Sequence, residues 1–465
     1  MQLAGNTNRA GSWRRLQLAS LAALTVGLAG RAPALITNNL AADWQGGVGV
    51  TASRGRVSQW NDQHRLLNND GLGPHNLTQT ALPAQQPYAV TDARGYAGVM
   101  FPWGYLSASP DTYLKIPTTL SGLHSQNTTV YLVATGPLTP QNQTVIAFGS
   151  LAWLNFYQTG NFPPVLAVGA SNSTLYPTLN PAVFVASGSS NETTFRWNYS
   201  AQTNAPQPPV VSNSGGLVAA NPSSSYFYFG IIYRLLVYKS AHTPAQMDAQ
   251  VAELAGLYGV LTNFTKHVVC RGASTSEGVG STMLQSYPFQ LWQRYPEIAW
   301  HNQGLGGQIG TNGLAGTMYS QDATMVDLLF NPVLPENWLF FLGGLDDINA
   351  GVSGRATWQR LTNYVATRKA VHPWKVVVST IQNDVLEPTI NAAYDACIRT
   401  NGGPWDRMVD PGVNSPIETR LDNPTNTTYF SSDGVHLTNA GYQVLADHFG
   451  QIINVPRRST GFFGP

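Results

Sequence analysis

The sequence carries little charge: only 11% of its 465 residues are Asp, Glu, Lys or Arg, against about 25% in an average soluble protein. Lys and Arg number 25 and Asp and Glu 24, a formal net charge of +1. No sequence-wide field therefore draws in phosphate backbones or acidic lipids, and bulk nucleic-acid binding is excluded. Cysteine is scarce as well. Cys270 and Cys397 are the only two, too few for the disulfide framework of a small secreted scaffold or for a zinc site of about four ligands, so both read as buried thiols. No Gly-rich loop carries the Lys of a phosphate cradle and no acidic loop has the spacing of a calcium hand, so no metal and no cofactor is expected.

Long apolar runs are missing too, with one exception. Leu16 to Gly30 (LQLASLAALTVGLAG) falls short of the roughly 18 apolar residues that argue for a membrane span. Arg9, Arg14 and Arg15 precede it and Ala32-Pro33-Ala34 follows, which is the shape of a signal peptide. Two readings stay open for residues 1–33: a secretion signal that is removed, or an apolar arm retained to anchor the chain in a homo-oligomer or larger assembly. The expected location is accordingly extracellular or on a virion.

Turn-forming residues are plentiful instead, with 45 Gly and 30 Pro. At about 100–200 residues per domain, the length allows two or three domains. From residue 34 to 262, short β-branched and aromatic runs alternate with Gly, Pro, Asn and Asp clusters, which predicts a sandwich of short antiparallel strands. Thr128 to Ala134, Thr144 to Phe148, Val165 to Val168 and Tyr226 to Tyr238 are such runs, and the Pro-rich piece 205–210 is a loop among them. A Thr cap, a Pro at the first turn and apolar residues at helical spacing predict one helix over Ala245 to Tyr258. Beyond about Thr262 the period changes. Buried-looking strands at His267 to Cys270, Trp338 to Leu342 and Trp374 to Thr380 alternate with helical patterns at Thr357 to Lys369 and Asn391 to Thr400, predicting an α/β unit with a parallel sheet.

Several short blocks in the first part occur in a suggestive order: Val57-Ser58-Gln59-Trp60-Asn61-Asp62-Gln63, Thr78-Gln79, Gln86-Pro87, Val99-Met100-Phe101, and the closing Leu236-Val237-Tyr238 and Tyr258-Gly259-Val260. On these, residues 34–262 resemble a concanavalin-like jelly roll of the laminin-G-like class, which implies glycan binding, adhesion or a spacer role. The aromatic cluster Tyr226 to Phe229 reads as sandwich core, while Trp60, Trp103 and Trp153 are candidates to stack on a sugar if exposed.

Four blocks in the second part carry chemistry. Gly272-Ala273-Ser274-Thr275-Ser276-Glu277-Gly278 follows a predicted buried strand, so Ser274 stands at the strand edge where open α/β sheets bind ligands. Asp433-Gly434-Val435-His436-Leu437 places a carboxylate three residues before a histidine, the pairing that turns imidazole into an oriented base for a serine hydroxyl. Asn302 to Gln308 (NQGLGGQ) and Leu342 to Ile348 (LGGLDDI) lie between them. In this order the blocks make residues 263–455 similar to the SGNH (GDSL-like) hydrolases, esterases and deacetylases on a flavodoxin-like sheet, leaving 456–465 as a tail.

The resemblance implies Ser274 as nucleophile, His436 as base and Asp433 as its orienting partner, with an oxyanion hole at Gly307 and at Asp346. Two positions depart from the pattern. Asp346 stands where the family has an Asn donor, and an ionised carboxylate accepts hydrogen bonds without donating them. Protonation favoured by burial beside Asp347, or Asn349 reaching in, would restore a donor. Ala273 stands where the family usually has Asp. The expected activity is removal of an O-acetyl or similar ester from a polysaccharide; the competing expectation is a non-catalytic virion fibre, decoration or receptor-binding protein on a degenerate hydrolase fold.

Overall fold

The computed structural model describes residues 35–453 except 65–74, 80–84, 103–111, 118–119, 121–126, 138–142, 149–150, 158–163, 169–170, 173–175, 189–191, 199, 205–215, 221–226, 282–284 and 308–317. The apolar arm, the tail, the Pro-rich loop, Trp103 and Tyr226 lie outside the described residues.

Among the described residues, the strands between Leu40 and Tyr238 form a large antiparallel sheet system. At its centre Gly230–Tyr238 pairs with Leu40–Gln45 on one side and Thr128–Ala134 on the other, and Thr128–Ala134 pairs onward with Ala182–Gly188. Register places Leu132 between Phe184 and Leu235. Because successive side chains point to opposite faces, Val130, Leu132 and Ala134 join a core with Trp44, Trp60, Phe148 and Phe156, whereas Tyr131 and Val133 face the opposite way. A strand covered on both faces is buried at every position, which is why TTVYLVA lacks the alternation of a half-solvated strand.

The run that reads as a strand from Tyr226 enters the strand only at Gly230. The Tyr228 ring packs in the inner core, its hydroxyl donating to the Thr135 carbonyl at 2.8 Å. Phe227, Tyr228 and Phe229 are buried core residues. Trp60 is fully buried and donates its indole N–H to the Gln45 carbonyl at 2.9 Å, which excludes it as a sugar platform.

The predicted helix spans Pro244–Leu257. Thr243 and Gln246 cap each other reciprocally at its start, and Pro244 fills the first turn, where its missing N–H costs nothing. Met247, Val251 and Leu254 cover the outward face of the sheet, beside Tyr131 and Tyr238.

After Leu257 the chain passes into a separate five-stranded sheet that is parallel throughout. In spatial order its strands are Ala299–Gly304, Lys266–Gly272, Glu336–Leu342, Lys375–Ser379 and Arg407–Val409. This is the doubly wound order 2-1-3-4-5, in which the chain reverses its direction of travel across the sheet beside Lys266–Gly272. Both faces carry helices: Phe340 stacks on Phe449 of Asn439–Ile452, and the next residue, Phe341, packs on Tyr364 of Gly354–Val371. Cys270 is buried in the first strand, as expected, but Cys397 is only half-buried on the helix Pro388–Asn401.

The two sheets meet at the strand Ala299–Gly304. Leu179 donates to the Trp300 carbonyl at 2.6 Å, and the Asn180 amide donates to the Pro296 and Ile298 carbonyls and accepts from Trp300 N–H, all within 3.0 Å. The exposed edge of the parallel sheet is thereby covered, and its backbone groups are satisfied.

Candidate active site

The first strand ends at Gly272, where only glycine fits: a Cβ there would stand 1.9 Å from the Leu342 carbonyl of the neighbouring strand. The chain turns at once into the short helix Ser274–Glu277, leaving Ser274 half-buried at the carboxyl edge of the sheet, beside the point where the winding reverses. The first-turn N–H of Ser274 has no partner within its own helix.

His436 arrives from the other end of the sequence. Residues 430–438 form a tight loop closed by a bridge between Phe430 and Leu437, with Ser431 N–H donating to the His436 carbonyl at 2.8 Å. The reversal at its tip needs the positive φ of Gly434, +66°. The helix Asn439–Ile452 follows, capped by Thr438, and Tyr442 on it donates to the Val279 carbonyl at 2.6 Å, tying the loop's base to the nucleophile segment.

The geometry that results is continuous. His436 Nε2 lies 3.0 Å from Ser274 Oγ, and His436 Nδ1 lies 2.7 Å from Asp433 Oδ2. Asp433 Oδ1 accepts three further bonds, from Ser431 Oγ at 2.6 Å and from the backbone N–H groups of Val435 and His436 at 2.9 Å. Partial burial works against the Asp433 carboxylate, but these donors outweigh it and hold the carboxyl well below the usual range. An ionised Asp433 accepts a hydrogen bond from His436 Nδ1–H, which leaves Nε2 as the acceptor facing the serine hydroxyl.

The other predicted residues are placed as follows. Gly307 is exposed on the turn after Ala299–Gly304 with φ +71°, and a Cβ on its neighbour Gly306 would lie 3.6 Å from that of Ser274, so this turn borders the serine. Asp346 is the second residue of the helix Leu345–Asn349, directly beyond the carboxyl end of Glu336–Leu342. Its Oδ2 is buried without a hydrogen-bond partner. Burial first, and then the charge of Asp347, push its carboxyl up to about 6, against the opposing pull of His436. Asp347 itself is engaged by Arg360 at 2.6 Å. Asn349 is exposed at the end of the same helix.

Other residues organise the site without a motif to mark them. Glu277 Oε2 accepts from Gly306 N–H at 2.7 Å, so a carboxylate ties the serine turn to the glycine turn. Gln382 donates to Thr275 and to Val435. A Cβ at Gly280 would strike the His436 Cβ. Glu277 is a charged residue in the buried turn Gly272 to Gly278, and that is the one local signal that marks it. Gln382 and Gly280 carry no local signal, because their partners are distant in sequence. Among the described residues no group of three or more His, Cys, Asp or Glu side chains is placed to hold a metal ion, and no helix is long and apolar enough to cross a membrane.

The site is thus a hydroxyl, imidazole and carboxylate in one hydrogen-bonded line at the carboxyl edge of a doubly wound sheet. No protein-family model and no curated protein matches the chain. Among solved structures it is similar to a lipolytic protein of the G-D-S-L family from Veillonella parvula, with 13% identity, 41% of this chain and 100% of that chain covered, and a TM-score of 0.32. It is also similar to a family two carbohydrate esterase from Cellvibrio japonicus, with 11% identity, 77% and 90% coverage and a TM-score of 0.33. A family 3 carbohydrate esterase from Talaromyces cellulolyticus shares 17% identity over 40% of this chain and 96% of that one, with a TM-score of 0.30. Likenesses this slight assign neither a family nor an activity.

Proposed function

We propose that the chain is a serine esterase of the SGNH type that removes O-acetyl or similar acyl groups from a polysaccharide outside the cell or on a virion. The observation that carries the reading is the pair of contacts at His436, 3.0 Å to Ser274 Oγ and 2.7 Å to Asp433 Oδ2. Ser274 Oγ attacks the ester carbonyl carbon while His436 Nε2 takes its proton; Asp433 stabilises the imidazolium. Collapse of the tetrahedral intermediate breaks the bond to the leaving alcohol, which receives the proton from His436, and water then hydrolyses the acyl-serine by the same route. The backbone N–H groups of Ser274 and Gly307 and a protonated Asp346 receive the oxyanion. The polysaccharide rests on the block order in both halves of the sequence, the first half being taken as a laminin-G-like jelly roll that holds the polymer.

One observation favours a second reading. The partnerless carboxyl oxygen of Asp346, where a side-chain amide would donate, fits a hydrolase fold retained for binding or assembly after turnover was lost. Hydrolysis of a chromogenic acetate ester by wild type, Ser274→Ala and Asp346→Asn separates the two. Turnover by wild type that Ser274→Ala abolishes supports the esterase. Equal rates for wild type and Ser274→Ala, with a gain in Asp346→Asn, would establish the binding protein instead.

A further inference from the structure

Gln382 lies just past the end of Lys375–Ser379, one strand removed from the strand that delivers Ser274, and it is 1% exposed. Its side-chain amide makes two donations from one nitrogen. Nε2 reaches Thr275 Oγ1 at 2.9 Å and the Val435 carbonyl at 3.3 Å. Thr275 is the residue after Ser274 and Val435 the residue before His436. The two partners lie 107 and 53 residues from Gln382 in sequence, and no closer covalent connection joins them.

The segment around Gln382 is itself fixed. Ile381 N–H donates to Asp395 Oδ1 at 2.9 Å, the Asn383 amide donates to the Asp422 carbonyl at 2.7 Å, and Val385 N–H donates to the Gly434 carbonyl at 3.2 Å. A buried amide on a fixed segment does not swing, so its two bonds set the distance between Thr275 and Val435, and through them the distance between the serine hydroxyl and the imidazole. Such registration matters, because a displacement of about 1 Å between reacting groups can cost on the order of 10² in rate.

Resting on the esterase reading above, we infer that Gln382 is a positioning residue that holds the serine turn and the histidine loop in register through paired donations to Thr275 and Val435. It touches neither substrate nor reacting atoms.

Gln382→Met keeps the bulk and removes the donor, Thr275→Val removes one acceptor, and Thr275→Ser restores it. On a chromogenic acetate ester, kcat of Gln382→Met is expected to fall at least about tenfold with KM held within about twofold, because proton transfer and not ground-state binding is disturbed. Thr275→Val falls less, since the Val435 bond remains, and Thr275→Ser recovers. A second readout does not depend on turnover: the imidazole ¹⁵N shifts of His436 in histidine-labelled protein, assigned by loss of the signal in His436→Gln. These report the tautomer and the bond to Ser274, and they are expected to move in Gln382→Met and Thr275→Val and to return in Thr275→Ser. Wild type that turns over while neither kcat nor the shifts respond to any variant overturns the positioning role and leaves the esterase standing. Inactive wild type whose His436 shifts still respond sinks the esterase and keeps the register. Should Gln382→Met fail to fold, the Thr275 pair decides on both readouts, and unmoved values in Thr275→Val overturn the proposal.

Discussion

Gly280 and His436 touch across 156 residues of sequence: a Cβ on Gly280 would stand 2.9 Å from the His436 Cβ and 2.8 Å from the Leu437 carbonyl. Gly280 also has a φ of +89°, so a side chain there is opposed by both the backbone and the neighbour. Gly280→Ala is expected to push the histidine loop away from Ser274 and lower kcat by roughly tenfold or more, with a stability loss of about 1–3 kcal/mol. Kinetics beside a urea melt check this. Unchanged kcat would mean that the loop accommodates the methyl without moving the imidazole.

Asp433 binds His436 through both oxygens, one to Nδ1 and one to the backbone N–H. Asp433→Asn keeps the shape but offers an amide where a carboxylate should accept, which favours the wrong imidazole tautomer. A loss on the order of 10⁴ in kcat is expected, by analogy with the same change in serine proteases. Turnover within about threefold of wild type would show that another group orients His436.

Asp346 sets a pH limit. Its carboxyl titrates near 6, so below that value it carries an O–H able to donate to an oxyanion, and above it a charge that repels one. In wild type the contribution of this donor to turnover is therefore expected to decline as pH rises through about 6. Asp346→Asn, which donates at every pH, should lose that decline and exceed wild type at pH 8 by up to about 10²–10³, the range measured for a single oxyanion donor. Superimposable pH profiles for the two proteins would remove Asp346 from the reaction.

How much of this was legible in the sequence depended on the range of the contact. Thr128–Ala134 and Val165–Val168 carry local β patterns and are strands with those very limits. Asp433 and His436 are three residues apart, so their pairing has a local signature. The strand Ala299–Gly304 is hidden by His301, Asn302 and Gln303, polar residues that a buried strand tolerates only because neighbours bond them, as Gly304 N–H bonds the Asn302 side chain. Arg407–Val409 is short and at the sheet edge, where charge is allowed and the apolar pattern fades. Gln382 and Gly280 are important only through residues far along the chain, and no periodicity records such partners.

Acid should weaken the fold at a point remote from Ser274. His267 and His301 are both buried in neighbouring parallel strands, their rings edge to face at 4.9 Å, with Trp374 against His267. His267 Nδ1 has Asn337 as its partner at 3.1 Å, while its Nε2 is buried with none. Burial pushes His267 down to about 4, and burial together with its neighbour pushes His301 well below the ordinary value. A group whose folded pKa is depressed in this way is neutral in the fold. The unfolded chain takes up a proton below about 6.5 that the folded chain refuses, so stability present above 6.5 is lost as pH falls towards 4, by about 1.4 kcal/mol per pH unit for each such proton. Burial likewise holds His242, beside Tyr131, down to about 4. The urea midpoint should therefore drop between pH 7 and pH 5, and His267→Leu should drop less over the same interval, because it has one fewer site to protonate on unfolding. The comparison is between slopes, so a general destabilisation by the variant does not decide it. Equal slopes would mean that water or a structural adjustment satisfies the protonated ring, and that the acid sensitivity resides elsewhere.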